Sequence, residues 1–116
     1  MSVSHATMKT FTYYLKVPSS ASPEFIDITD EVNRFLKDSG ISSGMLLVFS
    51  RHTTSAVVIQ ENEPLLLEDF KVMLENISSE NASYRHNDFD VRTVHMHENE
   101  CPNGHSHCQH LVLGSS

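Results

Sequence analysis

Residues 10–17 alternate strictly. Phe11, Tyr13, Leu15 and Val17 fall on one side of the register, with Thr10, Thr12, Tyr14 and Lys16 on the other. A period of two is the pattern of a strand with one face on a core and one in water. A chain that carries it is expected to build a sheet. Pro18 and Pro23, with three serines between them, close this strand in a loop. Glu24–Ile28 reads as a second short strand. Met45–Ser50 is a buried strand by composition, and Ala56–Ile59 is another β-type run. The last two are either the arms of a hairpin or one long bulged strand.

Helices separate these runs. Thr29 stands where an N-cap is expected, and Asp30 and Glu31 suit the positive end of the helix dipole. Val32, Phe35 and Leu36 then make one apolar stripe, and Gly40 is placed to end the helix in a left-handed conformation. A second helix starts at Asn62-Glu63-Pro64. Its proline falls in the first turn, where a missing N–H costs nothing. Leu66, Phe70, Met73, Leu74 and Ile77 form its core stripe. After Ser78 the chain turns polar. His105–Leu113 fits either a strand or a short helix; a helix is favoured, capped by Asn103 or Ser106 and stopped by Gly114. The order β-α-β-β-α with a polar tail is an α+β layout.

Composition narrows the function. The chain has 116 residues, enough for one domain with a core of its own. A net charge of −7 makes it a poor generic ligand for nucleic acid, whose binding rests on basic contacts to phosphate. Eight histidines would carry that charge to +1 if all were protonated, so the charge depends strongly on pH. The longest apolar run, Met45–Phe49, is far short of the roughly 20 residues of a membrane span. The first residues lack the pattern of a signal peptide, so a cytoplasmic protein is expected, with residues 1–8 a flexible leader.

Several segments carry ligand chemistry. His95, His97, Cys101, His105, His107, Cys108 and His110 crowd one stretch. Imidazole and thiolate suit Zn and related metals, although no Cys-x-x-Cys pair is present. On a helix, His107 and His110 share a face. His52 follows a core strand and would ordinarily be a core residue, but Thr53-Thr54-Ser55 beside it offers hydroxyls to an anion. Arg51 adds a two-pronged oxyanion partner. Of Glu61 and Glu63, one serves the helix start and the other is free to act as a base or ligand. In Tyr84-Arg85-His86-Asn87-Asp88 a carboxylate stands near an imidazole it could orient, or the segment is a turn capped by Asn87 and Asp88. Dinucleotide, P-loop, nucleophile-elbow and zincin motifs are absent.

Taken in order, His52-Thr53-Thr54-Ser55, Gln60-Glu61-Asn62, Tyr84-Arg85-His86-Asn87-Asp88, Asn103-Gly104-His105-Ser106-His107 and Leu113-Gly114-Ser115-Ser116 resemble the YjbQ-type family, often labelled secondary thiamine-phosphate synthase. The resemblance implies a single domain: a β-rich antiparallel sandwich with two main helices and a short C-terminal helix. It also implies a homotrimer that binds a small phosphorylated molecule, with no nucleic acid or membrane partner. His52, His86 and His107 would be metal ligands or catalytic imidazoles, supported by Glu61, Asn62 and Asp88, with a divalent metal, Zn or Mg. Arg51, Thr53, Thr54, Arg85, Gly114 and Ser115 would face the phosphate. The activity implied joins an aminopyrimidine diphosphate to a thiazole phosphate; the alternatives are a metal- or anion-binding protein without catalysis and a metal-dependent hydrolase of a small phosphate compound. Family members usually continue beyond the Leu-Gly-Ser-Ser motif with a Gly-x-x-Gln strand, so the last strands are expected to be missing here. They also often carry Asp-Asp where this chain has Asn87-Asp88.

Overall fold

The structure, a computed structural model, describes residues 7–116. Most of the expected leader therefore lies outside the described residues. The chain divides into two compact units, one ending at Leu46 and the other Leu47–Ser116.

In the first unit, α1 spans Thr29–Ser39. Thr29 is its first residue rather than its cap: the Asp27 carboxylate accepts from the Thr29 backbone N–H at 2.9 Å and from its hydroxyl at 2.6 Å. Gly40 ends the helix at φ 69°, the left-handed turn expected of it. Tyr13 stacks on Phe35 of α1 at 4.8 Å between ring centroids, and Phe11 lies 6.4 Å from Tyr13. The Glu24 carboxylate folds back on the backbone N–H groups of Ser20 and Ala21 at 2.6 and 3.1 Å, which holds its pKa below the ordinary carboxylate value.

In the second unit, α2 spans Pro64–Ile77 and α3 spans Gly104–Leu113, with a 3₁₀ turn at Arg85–Asn87 between them. Glu63 caps α2, accepting from the backbone N–H groups of Leu65 and Leu66. Two of the first-turn donors that a helix leaves unpaired are thereby satisfied. Leu74, in the predicted stripe, is buried. At the far end of α2 the buried Gln109 of α3 donates to the carbonyls of Leu74 and Ser78 at 3.3 and 3.1 Å. This fastens α3 to the C-terminal end of α2.

The β-rich sandwich is not what the structure contains. The described residues form three α-helices and a 3₁₀ turn, with no strand and so no sheet. Residues 11–17, 24–28, 45–50 and 56–59 have no ladder partners. Met45 is 97% exposed, and Leu47 72%. Alternation reports which side chains want burial; a strand exists only when a neighbour takes up its N–H and C=O groups. Ser50 makes one isolated backbone bond, donating to the carbonyl of Ser115 at 2.8 Å.

Candidate functional site

A cavity of about 450 Å³ opens in the second unit. Its walls are His52, Thr53, Thr54, His86, Arg92, His95, His97, Glu100, Asn103 and His107. Of the residues singled out in the sequence, His52, Thr53, Thr54, His86, His95, His97, Asn103 and His107 meet here. Arg51, Glu61, Asn62, Arg85, Asp88, Gly114 and Ser115 do not line it.

The 3₁₀ turn presents His86, and the first half of α3 presents His107. Their rings meet edge to face, 4.8 Å between centroids. The two elements are tied where Asn87 Oδ1 accepts from the Gly104 backbone N–H at 3.0 Å. Asn103, at the N-cap position of α3, does not use its side chain as a cap. Its Oδ1 is buried with no hydrogen-bond partner. An orphaned amide oxygen is an acceptor, so what it lacks is a donor.

Arg92 and Glu100 went unremarked in the sequence, yet they organise the cavity. Arg92 Nη1 and Nη2 grip the two carboxylate oxygens of Glu100 at 2.9 and 3.0 Å. The two side chains are only 11% and 8% exposed. The same guanidinium donates to the carbonyls of His86 at 3.1 Å, Val94 at 3.3 Å and His95 at 2.5 Å. Its Nη1 also lies 3.2 Å from His86 Nε2. The carboxylate that approaches His86 is that of Glu100, with Oε1 3.7 Å from Nε2. Asp88 instead turns inward on its own segment, its Oδ1 accepting from the Asp90 backbone N–H at 3.2 Å. His95 stands at φ 52°, a conformation that side chains rarely adopt, and its carbonyl is one of those held by Arg92.

Electrostatically, Arg92 and Glu100 cancel. The cavity's remaining titratable walls are five imidazoles, His52, His86, His95, His97 and His107. Burial, then the neighbouring His86, hold the His107 pKa below the ordinary 6.5; a hydrogen bond with the Thr53 backbone opposes them. The hydrogen bonds from Arg92 keep Glu100 below the usual carboxylate range. The unfolded chain thus binds the His107 proton more readily than the folded one. The stability due to neutral His107 is complete above about pH 6.5 and is lost as pH falls below it. Glu100 contributes in the same sense only below about pH 4.5. The urea midpoint is accordingly expected to drop between about pH 7.5 and pH 5.5, and His107→Gln to flatten that drop.

Among the described residues, no three His, Cys, Asp or Glu side chains are gathered so as to hold a metal ion. Zn ligation needs nitrogen atoms at about 2 Å from one centre. His52, His86 and His107 share a cavity without forming such a sphere. No helix among the described residues is long and apolar enough to cross a membrane.

Comparison with known proteins places the sequence. The model of the UPF0047 protein YjbQ-like family matches residues 13–116. A UPF0047 protein of Methanothermobacter thermautotrophicus is 42% identical over 109 residues, 94% of this chain and 68% of that protein. One from Archaeoglobus fulgidus is 32% identical over 102 residues, 88% of this chain and 70% of that protein. The UPF0047 protein YugU of Bacillus subtilis is 44% identical over 48 residues, 41% of this chain and 36% of that protein. No solved structure gives a significant match. The motifs spaced along the chain and the family match agree: this chain belongs to the UPF0047 YjbQ-like family.

Proposed function

We propose that the histidine-walled cavity binds a small phosphorylated molecule and serves a transfer reaction on it. The supporting observation is the convergence of five imidazoles and two threonines on one cavity. A chain of net charge −7 needs a local source of positive charge to hold phosphate. Arg92 is spent on Glu100, so the imidazoles supply it by taking up protons as the anion enters.

The specific reaction is the one the resemblance implies. The thiazole nitrogen attacks the methylene carbon of the aminopyrimidine diphosphate. A C–N bond forms, the C–O bond breaks, and the electron pair leaves with diphosphate. Protonated imidazoles facing the departing oxygens would lower that barrier, because charge develops where they already stand. The homotrimer belongs to the same reading and is supported by the apolar side chains that the chain leaves in water, such as Met45 and Leu47. The divalent ion, Zn or Mg, belongs to it too, carried by the resemblance alone.

The test is formation of thiamine phosphate from the two substrates by the purified protein, with a metal analysis of the same sample. Product that is lost in His107→Ala supports the reading. Diphosphate binding without product leaves the non-catalytic anion-binding protein. Release of phosphate from small phosphate esters selects the hydrolase.

A further inference from the structure

A second constellation stands at the far end of α3, away from the cavity walls. Gly114, at φ 81°, turns the chain out of the helix. The next residue, Ser115, is fixed through its carbonyl, which accepts from the Ser50 backbone N–H at 2.8 Å. Its hydroxyl lies 3.3 Å from Nε2 of His110. The other ring nitrogen, Nδ1, lies 2.7 Å from the carbonyl of Ser55. A carbonyl can only accept, so Nδ1 carries the hydrogen. In the neutral ring Nε2 is then a lone pair, to which the Ser115 hydroxyl donates. Ser50 and Ser55 are in turn hydrogen-bonded through their hydroxyls.

This is the arrangement of a nucleophile, a base and an orienting group. His105 and Ser106 provide a contrast within the same helix. Their side chains also pair, at 3.2 Å, but His105 Nδ1 is buried without a partner, so nothing sets that ring's tautomer. At His110 the tautomer is set, and it is the one that leaves a base facing a hydroxyl. A bond whose only role was to close the helix end would need neither feature.

We propose that Ser115 and His110 form a second reactive site, an activated serine that takes an acyl group from a neutral, activated carboxylic ester. Ser115 Oγ attacks the ester carbonyl carbon as its proton passes to His110 Nε2. The C–O bond to the leaving alcohol then breaks, and the proton returns from His110 to that oxygen. The acyl group remains on Ser115. A neutral ester fits because the hydrogen-bonded groups here, three serines and an imidazole, include no lysine or arginine to hold an anion. None of them lines the cavity, so this site stands or falls apart from the phosphate reading.

The experiment treats the full chain with p-nitrophenyl acetate, follows p-nitrophenolate release, and maps acetylation by peptide mass spectrometry. Acetyl is expected on Ser115, absent in Ser115→Ala and retained as a thioester in Ser115→Cys. His110→Ala should slow labelling at least about 100-fold, the low end of general-base assistance, with its helical circular dichroism unchanged. Acetyl spread over lysines with none on Ser115 overturns the proposal. So does labelling of Ser115 at the same rate in folded His110→Ala, or a Ser115→Cys chain that stays unlabelled.

Discussion

Replacing Arg92 with Ala is expected to dismantle the cavity wall from His86 to Glu100. The guanidinium ties this irregular stretch together, binding three backbone carbonyls and both oxygens of Glu100. No helix or sheet ladder would take over those acceptors. The nearly buried Glu100 carboxylate would also lose its counter-charge, and an orphaned charge costs more than its pair ever contributed. Cleavage within residues 86–100 by a dilute protease is expected to accelerate at least about tenfold, as local opening becomes easier. Arg92→Lys should rescue little, since a single ammonium cannot hold a carboxylate with two parallel bonds and reach the carbonyls as well. The double variant Arg92→Ala with Glu100→Ala should be less damaged than Arg92→Ala alone, because the stranded charge is gone. A single variant as protease-resistant as the parent would show that the wall is held by something else.

Gly104→Ala carries the second large effect. A Cβ there would stand 2.7 Å from Tyr84 Cβ, 2.9 Å from Tyr84 Cγ and 3.1 Å from Asn87 Oδ1. These are not free ends that can swing aside. The Tyr84 hydroxyl is held 2.5 Å from the Ser79 carbonyl and 2.7 Å from Ser78 Oγ, and Asn87 holds the Gly104 N–H itself. The start of α3 must back away from the turn that carries His86, and His107 moves with it. Overpacking of this kind costs about 1–3 kcal/mol, and the roughly 1 kcal/mol that alanine gains over glycine belongs to a helix interior, not to the first residue of α3. Chemical denaturation should show a net loss of about 1–2 kcal/mol. Gly44→Ala is the control, because a Cβ there meets only Ile41 Cγ2 at an ordinary 3.4 Å. Unchanged stability in Gly104→Ala would mean that α3 is not seated on the Tyr84–Asn87 turn.

The helices were legible because their signals are local. Pro64 at the start of α2, the stripe through Leu74 and Gly40 beyond α1 each act within a few residues. Thr29 misled by one position, since the N-cap is Ile28 and the Asp27 carboxylate takes up the Thr29 N–H. The sheet was misread because Phe11, Tyr13, Leu15 and Val17 state a preference for a face and say nothing about a partner strand. The histidines were found by type, and three of them, from segments far apart in sequence, do meet. What sequence could not show is what orients them. Arg92 and Glu100 lie in a stretch with no periodicity, and their pairing exists only once the chain folds back between His86 and Asn103. Glu63 was one of two equal candidates for the helix start until its carboxylate was seen on Leu65 and Leu66.

The central claim is that protonated imidazoles, rather than a free arginine, supply the cavity's charge for phosphate. Calorimetric titration with inorganic diphosphate tests it directly when run in two buffers of different ionisation enthalpy. The account predicts binding with net proton uptake, tighter near pH 6 than near pH 8 and with less uptake in His107→Gln. Binding with no proton uptake, equally tight at both pH values, would contradict it.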